Sequence, residues 1–467
     1  MAEANELDLI VVGAGPGGYV AAIRAAQLGM KVACVEKENA LGGTCLRIGC
    51  IPSKALLDSS ELFAQTKKHL AVHGVKVEGV SLDLGAMMKR KDRVVKTLTG
   101  GVAALFKKNE VQHVRGDARI RAPGKVEIAG VDAGTLLAKH ILIATGSEPA
   151  PLRGMPFDGE HVVSSDESLG FDKVPRKLLV VGAGAIGLEM GSVWSRLGSE
   201  VHVVEFLDAI VPMMDREMGE TLQKSLEKQG MKFRLKASAK SASVKSDGQV
   251  EVAIESEGKS ASLTVDKVLV AIGRRPYTVG LGLEDVGVAV DKHGRVEVDE
   301  AFKTSVDGIY AIGDVIRGAM LAHKASDEGI ACVERLAGQA SEVNYDAIPS
   351  VVYTWPELAS VGKTEEECRA AGRETHVGRF PIMILGRARA MEERDGLVKV
   401  ITDAKTDRVL GLHILGPRAS DMIAEAALAI EFAASAEDIA RTSHAHPTLP
   451  EAVREAALDA LGRVIHR

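Results

Sequence analysis

A chain of 467 residues, 46% hydrophobic and 26% charged, is too long for one core and has the balance of a multidomain globular protein. Aromatic residues at 3% beside 48 glycines suit packed α/β units with many tight turns, and the net charge of −6 argues against general affinity for polyanions. No apolar run approaches the roughly 18–20 residues of a membrane span, and the acidic start MAEANELDLI has neither a signal-peptide core nor an Arg-rich transit pattern, which predicts a cytoplasmic protein.

The first predicted element is a short buried strand over Leu9–Val12, followed by Gly13, Gly15 and Gly18 in G-x-G-x-x-G spacing. An Ala-rich helix then runs to Gly29, and a second apolar run, Val32–Val35, ends at Glu36. The first glycine permits a tight turn, the second lets backbone approach a pyrophosphate, and the third allows close helix–sheet packing. The acid is placed to accept hydrogen bonds from ribose hydroxyls.

The chain continues as LGGTCLRIGCIPSK, which holds Cys45 and Cys50. On a regular helix this offset sets the two side chains about 140° apart, too far for a relaxed bridge. Gly49 and Pro52 predict a distorted segment, and a bridge formed there would be labile, as redox chemistry requires. Zinc lacks a third and fourth ligand at usable spacing, while two structural thiols remain an alternative. Lys54, one turn beyond Cys50, is placed to stabilise a thiolate or to sit on a solvated helix face. Cys34, Cys332 and Cys368 fall in apolar or helical patterns and read as structural.

The strand–glycine–helix–strand–acid unit then returns. Gly182, Gly184 and Gly187 repeat the first set, Gly198 repeats Gly29, and Glu205 repeats Glu36, with 23 residues from first glycine to acid in each copy. A lone glycine motif is weak evidence, whereas two copies at one spacing imply two dinucleotides. Glu205 would repel a 2′-phosphate, and no arginine follows before Arg216, so the second unit is expected to prefer NAD over NADP. The stretches HILIATGSEP and KVLVAIGRRP, with Gly146 and Gly273, are predicted to close the two units. A third strand, GIYAIGD, ends at Asp314, either a turn residue or an acid for a sugar hydroxyl. From Asn344 onward, alternating strand patterns give way to Ala-rich helices and the segment HAHPTLPE. There His446, held by Pro447 and close to Glu451, is a candidate general base. His444 competes for that role, and either histidine is alternatively a solvated loop residue.

These motifs together resemble the flavoprotein disulfide reductase family, and within it the dihydrolipoyl dehydrogenase branch, over essentially the whole chain. The carriers are GAGPGG, GGTCLRIGCIPSK, VGAGAIGLE, YAIGD followed by MLAHKASDEG, and HAHPTLPE. The resemblance implies an α/β fold with two Rossmann-like dinucleotide-binding domains, one for FAD and one for NAD, plus a C-terminal α+β dimerisation domain. The implied boundaries are 1–147 (FAD, with the cysteine pair), 148–274 (NAD), 275–343 (completing the FAD domain) and 344–467 (dimerisation).

The resemblance also implies roles. Glu36 serves the adenosine ribose and Asp314 the flavin ribitol, with Gly146, Gly273 and Ala322 among the cofactor-binding residues. Lys54 and Glu189 form an ion pair near the flavin. Cys45 is the interchange thiol and Cys50 the charge-transfer thiol. His446 with Glu451 is the base dyad, reaching the cysteines across a homodimer, which ranks His446 above His444. Expected partners are lipoyl domains and the acyltransferase core of 2-oxo acid dehydrogenase complexes, or the glycine-cleavage carrier protein. Nucleic acid, membranes and metals are not expected. Arg47 stands where the family usually has Asn, and Trp355 where a polar residue is commoner. A sister reductase with another disulfide substrate is the nearest rival. A non-catalytic nucleotide-binding subunit is the rival from another class, and the cysteine pair and histidine dyad speak against it.

Overall fold

The structure, a computed structural model, describes residues 7–467, so the first six residues of the acidic start lie outside the described residues. The chain forms two compact units: 1–55 with 86–150 and 273–343, and 56–85 with 151–272 and 344–467. The sequence-based boundaries had placed 56–85 with the first domain; the helix Cys50–Lys68 begins in the first unit and continues into the second.

In the first unit, strand Leu7–Val12 lies between Val32–Glu36 and Gly134–Ile143, all parallel, with Leu9 opposite Val32 and Val12 opposite Ile143. Gln112–Arg115 extends the sheet beyond Val32–Glu36, and Ile309–Ala311 pairs in parallel with the end of Gly134–Ile143. The strands Leu7–Val12 and Val32–Glu36 are buried and apolar at their centres because helices cover a parallel sheet on its faces. The long strand Gly134–Ile143 also turns into an antiparallel meander with Lys125–Ala129 and Asp117–Ala122. Strand order reverses at Leu7–Val12, the topological switch point where α/β sheets bind ligands.

The second unit holds a parallel sheet in the order Lys232–Arg234, Glu200–Val204, Lys177–Val181, Lys267–Val270, Val162–Val163. A three-stranded antiparallel sheet, Ala237–Val244, Val250–Ser256 and Lys259–Val265, is inserted before its fourth strand. The C-terminal part is a five-stranded antiparallel sheet with helices Ala419–Glu431, Ala436–Arg441 and Glu451–Ala460. Ala, Val, Leu and Ile dominate its core, which matches the alternating pattern read from Asn344 on. The fold is thus the expected α/β arrangement, with two parallel sheets and an α+β C-terminal domain. No helix among the described residues is long and apolar enough to cross a membrane.

Candidate active site

The two glycine turns have matching geometry. Gly13 (φ +102°) and Gly182 (φ +105°) each end the first strand of their unit; a Cβ on either would stand 2.5 Å from the carbonyl oxygen of Ala144 or Ala271. Only glycine fits such a position. A Cβ on Gly18 would lie 1.8 Å from the Gly13 carbonyl oxygen, and one on Gly187 would lie 2.1 Å from that of Gly182, so helix and strand touch there.

The second glycines differ from both. Gly15 would meet only Gly43 Cα, at 3.9 Å, and Gly184 would meet nothing within 4 Å. Each is the residue capping a helix, Pro16–Gln27 or Ala185–Leu197, so the open space lies where backbone N–H groups and the helix dipole favour an anion. A cradle walled by glycine backbone at a helix N-terminus suits a dinucleotide pyrophosphate, and both units have one.

The acids also match. Glu36 accepts the Ala14 N–H at 2.9 Å and the Glu38 N–H at 3.0 Å, and Glu205 accepts the Ala183 N–H at 2.7 Å and the Leu207 N–H at 2.8 Å. The carboxylate expected to meet a ribose therefore also ties down the glycine turn. The glycines after the closing strands, Gly146 (φ +74°) and Gly273 (φ +126°), both have open space beside them. They flank the short pair Ser147–Pro149 and Arg274–Pro276 in the first unit.

Asp314 follows strand Ile309–Ala311 in a single helical turn, half-buried. Its Oδ2 accepts from Ser147 Oγ at 2.6 Å, and Arg274 Nε donates to that hydroxyl at 2.8 Å. Sequence reasoning missed Ser147 and Arg274; both adjoin glycines it had singled out. Ala322 opens the helix Ala322–Leu336.

Cys45 sits in the helix Gly43–Ile48, and Cys50 begins the next helix. Gly49 separates the two helices with φ −142° and ψ −112°, so the expected distortion is a break between the cysteines. The pair is present as two thiols. Cys45 is hydrogen-bonded to Cys50, and that bond, with burial and the neighbouring sulfur's charge, pushes the Cys45 thiol far above the ordinary range, while the Lys54 charge works in the opposite direction. Arg47, between the cysteines, pairs with Glu38 at 2.8 Å.

Cys34, Cys332 and Cys368 are buried, and burial pushes Cys332 up to about 12. Their structural reading fits this geometry. Glu189 is buried in Ala185–Leu197, its Oε1 accepting the Tyr353 N–H at 3.0 Å. The Trp355 indole donates to Glu393 at 3.0 Å.

The two candidate histidines separate clearly. The His444 side chain is 5% exposed, with Nε2 2.7 Å from Glu425 and Nδ1 2.9 Å from the Thr442 carbonyl, so both ring nitrogens are engaged. His446 is 77% exposed and binds Glu451 Oε1 through Nδ1 at 2.8 Å, leaving the Nε2 edge turned outward. Thr448 N–H donates to the other Glu451 oxygen at 2.7 Å. Burial works to raise the Glu451 carboxyl, but the Thr448 N–H and His446 outweigh it and hold the group below the ordinary range. An anionic Glu451 fixes the imidazole tautomer that has Nε2 available to take a proton. Thr448 lies inside this motif, whereas Glu425, 19 residues before His444 on Ala419–Glu431, had no signal in the sequence.

Residues 7–329 match the family described as pyridine nucleotide-disulphide oxidoreductase, and residues 348–457 match its dimerisation domain. The chain belongs to this family. Among curated relatives of this oxidoreductase, the pea protein "Dihydrolipoyl dehydrogenase, mitochondrial" is 52% identical over 99% of the chain and 93% of its own length. The human protein of that name is 51% identical over 97% and 91%, and a cowpea (Vigna unguiculata) "Leghemoglobin reductase" is 52% identical over 97% and 87%. Among solved structures, LpdA from Mycobacterium tuberculosis superposes with TM-score 0.88 at 27% identity, covering 97% of this chain and 99% of that one. The Cu(II) complex of the HOCl-induced flavoprotein disulfide reductase RclA from Escherichia coli gives 0.86 at 28%, with the same coverage. FAD and NAD(H) are the cofactors of this oxidoreductase, and the two glycine cradles have the space and the donors for them. Its dimerisation domain makes the working form a homodimer.

Proposed function

We propose that this oxidoreductase is a dihydrolipoyl dehydrogenase that oxidises protein-bound dihydrolipoamide and reduces NAD+. The observation that carries this reading is the hydrogen-bonded Cys45–Cys50 pair at the Gly49 break. Identity above 50% with proteins of that name supports it.

FAD, when bound, supplies the two-electron relay between the dithiol and the nicotinamide. Gly13, Gly15, Gly18, Glu36 and Asp314 would hold it, and Gly182, Gly184, Gly187 and Glu205 would hold NAD. His446, oriented by Glu451, takes the proton from one substrate thiol. The resulting thiolate attacks Cys45 Sγ of the oxidised pair, forming a substrate–Cys45 disulfide and releasing Cys50 as the thiolate. The second substrate thiol then displaces Cys45, which leaves as a thiol after protonation, and the lipoyl ring closes as a disulfide. Two substrate thiols are oxidised and one protein disulfide is reduced, so atoms and electrons balance. The dyad serves the cysteine pair of the other copy in the homodimer. The substrate arrives on lipoyl domains of a 2-oxo acid dehydrogenase complex or on a glycine-cleavage carrier.

The test is direct: purified yellow protein assayed for NADH formation from dihydrolipoamide and NAD+, beside Cys45→Ser and His446→Gln. Turnover in the parent and its loss in both variants supports the reading. A preparation without flavin, or one that does not oxidise dihydrolipoamide, overturns it.

A further inference from the structure

Lys324 and Glu328 lie one turn apart on Ala322–Leu336, are 1% and 0% exposed, and pair at 2.9 Å. A buried ion pair rarely adds net stability, because desolvating two charges offsets their attraction. Its value then lies in what it holds. Glu328 Oε2 accepts the Gly313 N–H at 2.7 Å, while Lys324 Nζ donates to the Gly313 carbonyl at 3.1 Å and to the Arg317 carbonyl at 3.1 Å. One residue is thus gripped at both of its backbone polar groups, and it is the residue before Asp314. Gly313 has φ +77°, and a Cβ there would stand 3.1 Å from Ala325 Cβ, so the loop lies tight against the helix that carries the pair.

We propose that Lys324 and Glu328 are positioning residues that set the Asp314 carboxylate and thereby the grip on FAD; this rests on the reading of Asp314 as a flavin-side acid. The Asp314 side chain is fixed separately, through Ser147 and Arg274. The pair fixes the backbone that carries it. The same helix also packs against Pro16–Gln27, where a Cβ on Gly329 would lie 2.7 Å from the Gly17 carbonyl oxygen and Arg24 meets Glu334 at 2.6 Å. One helix therefore sets both the pyrophosphate cradle and the acid, and the buried pair is its contact with the acid's loop.

The test compares the full-length wild-type holoenzyme with Glu328→Gln, Lys324→Met, the charge-free double variant Lys324→Met/Glu328→Leu, and Asp314→Asn. FAD is stripped and rebound under flavin fluorescence, and the flavin midpoint potential and thermal unfolding are measured on each. The pair variants are expected to raise the FAD Kd about tenfold or more, as loss of a charge-assisted hydrogen bond implies, and to shift the midpoint potential in the same sense as Asp314→Asn. The double variant keeps an apolar, filled helix face, so it separates loss of the grip from a buried unpaired charge. If it binds FAD within about twofold of wild type at an unchanged potential while Asp314→Asn weakens binding, the pair is structural only and the proposal fails. If Asp314→Asn leaves FAD affinity unchanged, the reading of Asp314 falls, and the proposal falls with it.

Discussion

Replacing Gly184 by alanine separates a glycine kept for a ligand from one kept for the fold. Gly184 has φ −77° and ψ −179°, extended backbone that alanine adopts, and its added Cβ meets nothing within 4 Å. Folding stability should therefore change by no more than about 1 kcal/mol. A bound pyrophosphate is different, because its oxygens must come within about 2.9 Å of backbone nitrogens at this helix start. A methyl group in that space pushes them back and weakens one or two charge-assisted hydrogen bonds, each worth about 1.5–3 kcal/mol. The KM for NAD+ should rise roughly tenfold to several hundredfold, with thermal unfolding nearly unmoved. Gly187→Ala is the counterpart: its Cβ would stand 2.1 Å from the Gly182 carbonyl oxygen and 3.0 Å from Val180 Cγ1. Neither neighbour can yield without moving strand or turn, so stability should drop by about 3 kcal/mol or more. The assay is steady-state NAD+ reduction with dihydrolipoamide beside calorimetry of each variant. An unchanged KM in Gly184→Ala at unchanged stability would refute the cradle.

His446→Gln should lower turnover by about 10²- to 10⁴-fold with little change in melting temperature, because the ring is exposed and acts on protons. His444→Gln should do the reverse, and equal kinetic losses in both would sink the assignment of the base. Gly49→Ala puts a Cβ 2.9 Å from the Thr44 carbonyl oxygen and 3.4 Å from Cys45 Cα, so it should slow thiol–disulfide interchange in stopped flow while nucleotide affinity is retained; unaltered interchange would count against the break as the feature that brings the cysteines together. The hydrogen bond to Glu425 raises His444 above its ordinary value. A raised folded value contributes stability that is complete below the unfolded pKa of about 6.5 and fades as pH rises through the folded value. The melting-temperature lead of wild type over Glu425→Gln should thus shrink from about pH 6.5 upward; a lead that grows with pH contradicts it.

The parts legible in the sequence are those fixed over a short span. The glycine turns declare themselves because each needs a residue without a side chain at set offsets from a strand end, and duplication removes the ambiguity of one copy. Gly49 likewise marks the break between the cysteines. The choice between His444 and His446 was not legible locally, since the two lie two residues apart in one loop. It is made by Glu425, on another helix, which engages one ring and leaves the other to Glu451. Lys324 and Glu328, inside MLAHKASDEG, carry no sign of burial in the sequence, since charges one turn apart on a helix are usually solvated. Their helix meets the loop at Gly313, 15 residues away in sequence, and the helix Pro16–Gln27, 310 residues away at the Ser326–Pro16 contact. In the antiparallel insert Ala237–Val265 only the central strand, Val250–Ser256, alternates apolar and acidic residues; its two neighbours are carried by Ala, Ser and Lys, which give weak polarity contrast.

Glu36 and Glu205 explain why the spacing from first glycine to acid is the same 23 residues in both copies. A glycine turn has no side chains with which to hold itself, and its backbone N–H groups must stay in register to meet an anion. Glu36 is the last residue of its neighbouring parallel strand and Glu205 lies one residue past its own, and each carboxylate accepts the N–H of the residue after the first glycine and the N–H two residues beyond itself. That contact closes only if strand, turn, helix and second strand keep their lengths, so the spacing is set by a backbone tether as well as by ribose recognition. Nucleotide choice and loop order therefore depend on one carboxylate in each unit. A substitution at Glu205 that relieved repulsion of a 2′-phosphate would also release the Ala183 and Leu207 amides, loosening the turn that has to bind either nucleotide.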